Sequence, residues 1–127
     1  MFGLFGIFGR AHELERLDLE LRTLGLHPRA VPEAVKLTIV KLLKEARGGS
    51  LSDQRSCAAA AALIGYCILG SQAFSAANGA AQTEAADARL ATACESGRGM
   101  DARLVLLTMH AGLIHPSVVE RYQLTME

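Results

Sequence analysis

Between Arg10 and Leu24, Leu14, Leu17, Leu21 and Leu24 recur at spacings of three and four, so they fall on one helical stripe while Glu13, Asp18 and Arg22 point to water. A first helix is expected there. Gly25 then supplies a left-handed stop, Leu26 can fold back on the last turn, and His27-Pro28 prevents continuation. A second helix is expected from Pro32 and Glu33, with Val35, Ile39, Leu42, Leu43 and Ala46 on its core face and Gly48-Gly49 at its end. Its opposite face carries Lys36, Lys41, Lys44 and Arg47 around Leu37 and Val40. Two apolar residues among flexible cations suggest contact with another element or subunit.

Ser50 and Asp53 have capping-box spacing and introduce the alanines 58–62, followed by Leu63-Ile64-Gly65-Tyr66-Cys67-Ile68-Leu69. The chain is free of charge from Ser56 until Glu84, which predicts a third helix buried on most sides, kinked or briefly broken near Gly70. Its strongly apolar part, Cys57 to Gly70, is shorter than the roughly 20 residues of a membrane span, and the central helix of a bundle is the expectation. A fourth helix, from about Ala80 to Ser96, has little but alanines, Leu90 and Cys94 to pack and is expected on the outside. Asp101 is the expected cap of a fifth, buried through Leu104, Val105, Leu106, Leu107 and Met109. Gly112-Leu113-Ile114-His115-Pro116 repeats Gly25-Leu26-His27-Pro28 with one residue inserted, so both segments are expected to stop one helix and start the next. Val118, Val119, Tyr122 and Met126 close the chain as a short amphipathic helix. The expectation is an all-α, compact bundle of five or six helices around an Ala-rich central helix, with no strand.

The 127 residues suit one domain, expected as an apolar N-terminal segment, 1–9, and a single helical domain, 10–127. Thirteen basic and thirteen acidic residues cancel, which removes the electrostatic footprint of a general nucleic-acid binder. Cys57, Cys67 and Cys94 are odd in number and include no C-x-x-C pair, so a disulfide framework is not expected and a reducing cytoplasm is. His12, His27, His110 and His115 lack spacings that put two ligands on one helical face, so no metal or other cofactor is expected; His27 and His115 are expected to hydrogen-bond at helix starts. Gly97-Arg98-Gly99 reads as an interhelical turn, since Asp101 beside it would repel an anion.

Two features lie outside this packing scheme. Gly65-Tyr66-Cys67-Ile68 followed by Ser71 resembles the helix of the carboxymuconolactone decarboxylase and AhpD family, which uses two cysteines separated by two residues and a nearby histidine. Here Ile64 occupies the first cysteine's position and Ser71 stands near the histidine's, so the resemblance implies at most a degenerate thiol enzyme. The second is the N-terminus, where Phe2, Leu4, Phe5, Ile7 and Phe8 crowd into eight residues with three glycines. It either docks on the core or holds a partner; peripheral membrane contact is a lesser alternative, because Arg10 is the one nearby cation.

The buried helices supply almost no converging polar groups, and catalysis requires them. The functional expectation is therefore a non-enzymatic helical protein-protein interaction module, binding a protein or itself as a homo-oligomer. Its candidate surfaces are the N-terminal apolar segment and the Lys36, Leu37, Val40, Lys41, Lys44 face. The alternative is a small-molecule sensor or carrier, with an apolar pocket near Tyr66, Cys67 and Met109.

Overall fold

A computed structural model describes residues 2–46 and 54–124, with side chains described from residue 13 to 46 and from 55 to 124. The described chain is an all-α bundle: α1 (Phe2–Thr23), a 3-10 turn (Pro28–Ala30), α2 (Glu33–Ala46), α3 (Gln54–Asn78), α4 (Ala80–Ser96), α5 (Gly99–His110) and α6 (Pro116–Tyr122). The helix expected from Arg10 begins at Phe2, so the apolar N-terminal residues are part of α1. Extending an existing helix adds one hydrogen bond per residue fixed, whereas starting one is unfavourable, which lets the helix run through three glycines. The side chains of Phe2, Leu4, Phe5, Ile7 and Phe8 lie outside the described residues, as do the Ser50–Asp53 capping box and Met126.

Helix α3 is the hub, touching each of the other five helices. Its alanines make this geometry possible: Ala60 and Ala61 are buried and let neighbouring backbones approach, while Leu63, Ile64, Tyr66, Cys67 and Phe74 fill the remaining space. Tyr66 and Phe74 meet edge to face, with ring centroids 5.6 Å apart. The segment Arg55–Asn78 is long and apolar enough to cross a membrane, with a mean hydropathy of 1.6 in its most apolar window, but 56% of that window is covered by the rest of the bundle. The α1 stripe forms as its spacing predicts, with Leu14, Leu17, Leu21 and Leu24 all buried. On α2 the core face narrows to Val35, Ile39 and Leu43; Leu42 is half-buried and Ala46 exposed.

The break expected near Gly70 occurs there. Gly70 takes φ 85°, ψ 162°, a conformation essentially reserved for glycine. A Cβ at this position would lie 3.0 Å from the His115 ring and from Ser117 Oγ, so the missing side chain also makes room for the start of α6. At this break the Cys67 carbonyl accepts from the His115 N–H at 2.7 Å, fastening α6 to the hub.

The two Gly-Leu…His-Pro connectors fold alike. Leu26 N–H donates to the Leu21 carbonyl and Leu113 N–H to that of Thr108, while Gly25 and Gly112 take positive φ and donate to the Arg22 and Met109 carbonyls. These are the paired bonds of a Schellman stop. Each histidine then caps the next element: His27 Nδ1 accepts from the Arg29 N–H and His115 Nδ1 from the Ser117 N–H, both at 3.1 Å.

Helix α5 departs from expectation at two positions. Arg98, not Asp101, holds the N-cap position, and Asp101 in the first turn is gripped by Arg89 through bonds of 2.8 and 3.0 Å. The carboxylate engages a guanidinium from α4 and does not cap its own backbone. Leu106, expected in the core, is 53% exposed. Leu104, Val105, Thr108 and Met109 face inward at spacings of one, three and one, and on a 3.6-residue helix Leu106 falls well outside that stripe.

Candidate interaction face

Polar side chains that reach across elements mostly join helices to one another. Asp87, half-buried on α4, collects three partners. Tyr66 Oη on α3 donates to Asp87 Oδ1 at 2.8 Å, Arg121 Nη2 on α6 donates to Oδ2 at 2.7 Å, and Tyr122 Oη also donates to this carboxylate. Burial pushes the Tyr66 phenol up to about 12, and the hydrogen bond to Asp87 pushes in the same direction. A proton held that firmly makes Tyr66 a donor to Asp87 and a poor proton acceptor at neutral pH. The arrangement clamps α3, α4 and α6 together.

The basic face of α2 is partly spent on α1. Lys36 Nζ pairs with Asp18 at 2.9 Å, and Lys44 Nζ lies 3.4 Å from buried Glu13. Leu37 and Val40 are half-buried, and Lys41 points to solvent. Of this candidate set, Lys41 alone is both exposed and unpaired among the described residues.

The expected pocket is displaced. Tyr66 and Cys67 are fully buried and line neither the groove between α4 and α5 nor the hollow beside Arg89 and Asp101. Burial raises the Cys67 thiol to about 12, so it lacks the thiolate a reactive cysteine requires. Met109 does line a hollow, an open groove of about 360 Å³ between α4, α5 and the residues after α6. Ala93 and Cys94 form one wall, Val105, Leu106 and Met109 the other, and Tyr122 to Leu124 the end. A second hollow of about 250 Å³ lies between α2, α3 and the α4–α5 pair, beneath the Arg89–Asp101 pair. No group of three or more His, Cys, Asp or Glu arranged to hold a metal occurs among the described residues.

Sequence reasoning passed over Cys94, Leu106 and Tyr122. Leu106 carried a usable signal, because Leu104, Val105, Leu106 and Leu107 run consecutively and four adjacent helical residues cannot share one face. Cys94 and Tyr122 carried none, since their place on the groove depends on how α4 and α6 pack.

Set against known proteins, this chain matches no family model, no curated protein and no solved structure.

Proposed function

We propose that this chain is a non-enzymatic helical interaction module that binds polypeptide through the α4–α5 face, and that it works in a reducing compartment such as the cytoplasm. One observation carries the reading: Leu106, one of two large aliphatic side chains strongly exposed among the described residues, stands on the rim of the open groove. A lone exposed leucine is ordinary, but one continuous with an apolar depression forms a patch of the kind that marks interaction sites. Among the described residues the groove's polar side chains form no cluster, since Tyr122 is directed to Asp87 and Cys94 stands on the α4 wall.

The test is a photo-crosslinking amino acid at position 106 in the full chain, irradiated in the cells that make it, with position 19 on α1 as the control. Leu19 is exposed to a similar degree, at 65%. The expected result is a defined polypeptide adduct at 106 and none at 19; equal, diffuse labelling at both sites removes the reading.

A second reading, a small-molecule sensor or carrier, rests on the groove's volume, which lies within the roughly 300–1,000 Å³ of ligand sites. Its site is the α4–α5 groove with Met109, displaced from Tyr66 and Cys67. In the same experiment it predicts a low-mass adduct at position 106.

A further inference from the structure

The α4–α5 hairpin carries opposite charge on its two solvent ridges. On α4, Glu84, Ala88, Ala91 and Glu95 are exposed at spacings of four, three and four, forming an acidic ridge with a small-residue centre. On α5, Arg103, Leu106 and His110 are exposed at spacings of three and four, forming a ridge with one protruding leucine and a guanidinium one turn before it. Glu84, Glu95 and Arg103 pair with no described residue. Leu106 of the α5 ridge lines the groove between the two helices, and the facing wall is formed by Cys94, next in sequence to Glu95 of the α4 ridge. With a formal net charge of zero, the whole chain offers no repulsion to a second copy.

We infer that the partner of this face is a second copy of the chain, joined about a two-fold axis so that α5 of each copy lies antiparallel on α4 of the other. This rests on the interaction reading above and names its partner. Each Leu106 sits over the gap at Ala91 of the partner subunit, where the absence of bulk permits close approach. In that register Arg103 is three residues, about 4.5 Å of helix, before the leucine. Glu95 of the partner subunit is four residues, about 6 Å, past the gap in the antiparallel sense, so two long side chains bridge the offset. The contact is isologous and each charge pair occurs twice. A face of one helical hairpin falls at the small end of interface sizes, below roughly 1,200 Å² in total, the class of weak and transient contacts.

The experiment is sedimentation and light scattering of the full chain over a concentration series. It compares wild type, Arg103→Glu, Glu95→Arg and an equimolar mixture of the two variants. Both reversals suit the fold, since a carboxylate near the start of α5 and a guanidinium near the end of α4 each oppose the helix dipole correctly. Unchanged far-ultraviolet circular dichroism verifies this. Wild type is expected to dimerise, and each variant alone to dissociate at least tenfold more readily. The mixture returns to within about threefold of wild type, because in the heterodimer one contact pairs the two substituted side chains with opposite charge and the other keeps the native Arg103–Glu95 pair, whereas each variant alone brings like charges together at both contacts. A structural role for either residue predicts no rescue. Dimerisation indifferent to the reversals, or a mixture that fails to recover, overturns the proposed pairing. A monomeric wild type whose position 106 still crosslinks a different polypeptide removes the self-partner and leaves the interaction reading intact; absence of any polypeptide adduct removes the reading itself.

Discussion

Replacing Asp87 with alanine tests the reading of that residue as a clamp, and the structure sets the magnitude. Tyr66 is fully buried with its hydroxyl directed at Asp87, so removing the carboxylate strands a buried donor, which costs about 1–3 kcal/mol. The Arg121 side chain is 55% exposed and its ion pair contributes about 0–1 kcal/mol. Tyr122, half-buried, loses a bond that water replaces in part. Against this, alanine is favoured over aspartate within a helix by roughly 0.5 kcal/mol. The expected net loss is about 1–3 kcal/mol, carried chiefly by the stranded phenol. Urea unfolding at neutral pH, followed by circular dichroism, measures it. A second variant isolates the cause, since in a Tyr66→Phe background no donor is stranded and Asp87→Ala should cost at least about 1 kcal/mol less. A loss below about 0.5 kcal/mol, or equal losses in both backgrounds, refutes the clamp.

Gly70→Ala should destabilise by at least about 2 kcal/mol, combining a strained positive φ with a Cβ pressed on His115 and Ser117; an unchanged melting temperature contradicts the account of the break. His115→Ala should cost about 1 kcal/mol and raise amide exchange in α6, whereas His115→Asn, which keeps an acceptor for the Ser117 N–H, should lie within about 0.5 kcal/mol of wild type. Alkaline titration should erode stability between pH 9 and 12. Cys57 is raised from 9.0 to about 11, Cys67 from 9.0 to about 12 and Tyr66 from 10.0 to about 12, all led by burial. Each folded-state value exceeds the unfolded one, so the folded chain holds protons that the unfolded chain has released; the contribution is whole below pH 9 and is lost as pH rises through the folded values. In Tyr66→Phe the fall with pH should be shallower above pH 10, and an identical slope counts against a buried, protonated phenol.

The fold was largely legible because it is written in short-range chemistry. The leucine stripe of α1, the Schellman glycines at 25 and 112, the histidine caps and the extent of α4 each follow from residues within a turn or two of one another. The surprises came where a residue's fate depended on a distant partner. Asp101 has the sequence position of a cap, but Arg89, twelve positions earlier, reaches it first. Lys36 and Lys44 look like a free basic stripe until α1 lies down beside them with Asp18 and Glu13. Tyr66 and Cys67 suggested a pocket because alanines surround them, yet small residues close a gap as readily as they leave one, and here the backbones came together.

Helix α4 shows why the candidate face was harder to find than the core. Its inward residues, Ala86, Leu90 and Ala93, are few and small, so hydrophobic burial alone places it weakly on the bundle. Position and rotation are supplied instead by Asp87, reaching α3 and α6, and by Arg89, reaching Asp101 on α5 and the Ala59 carbonyl on α3. Once those bonds fix the rotation, Glu84, Ala88, Ala91 and Glu95 must point outward, and the small centre of that ridge is then an orientation imposed by side chains up to 35 residues away. The same two polar residues that hold the helix therefore decide which of its alanines are packing and which are surface. Loss of the Asp87 clamp should thus weaken self-association as well as stability, because an α4 free to rotate no longer presents Glu95 on the face where Arg103 of a second copy meets it.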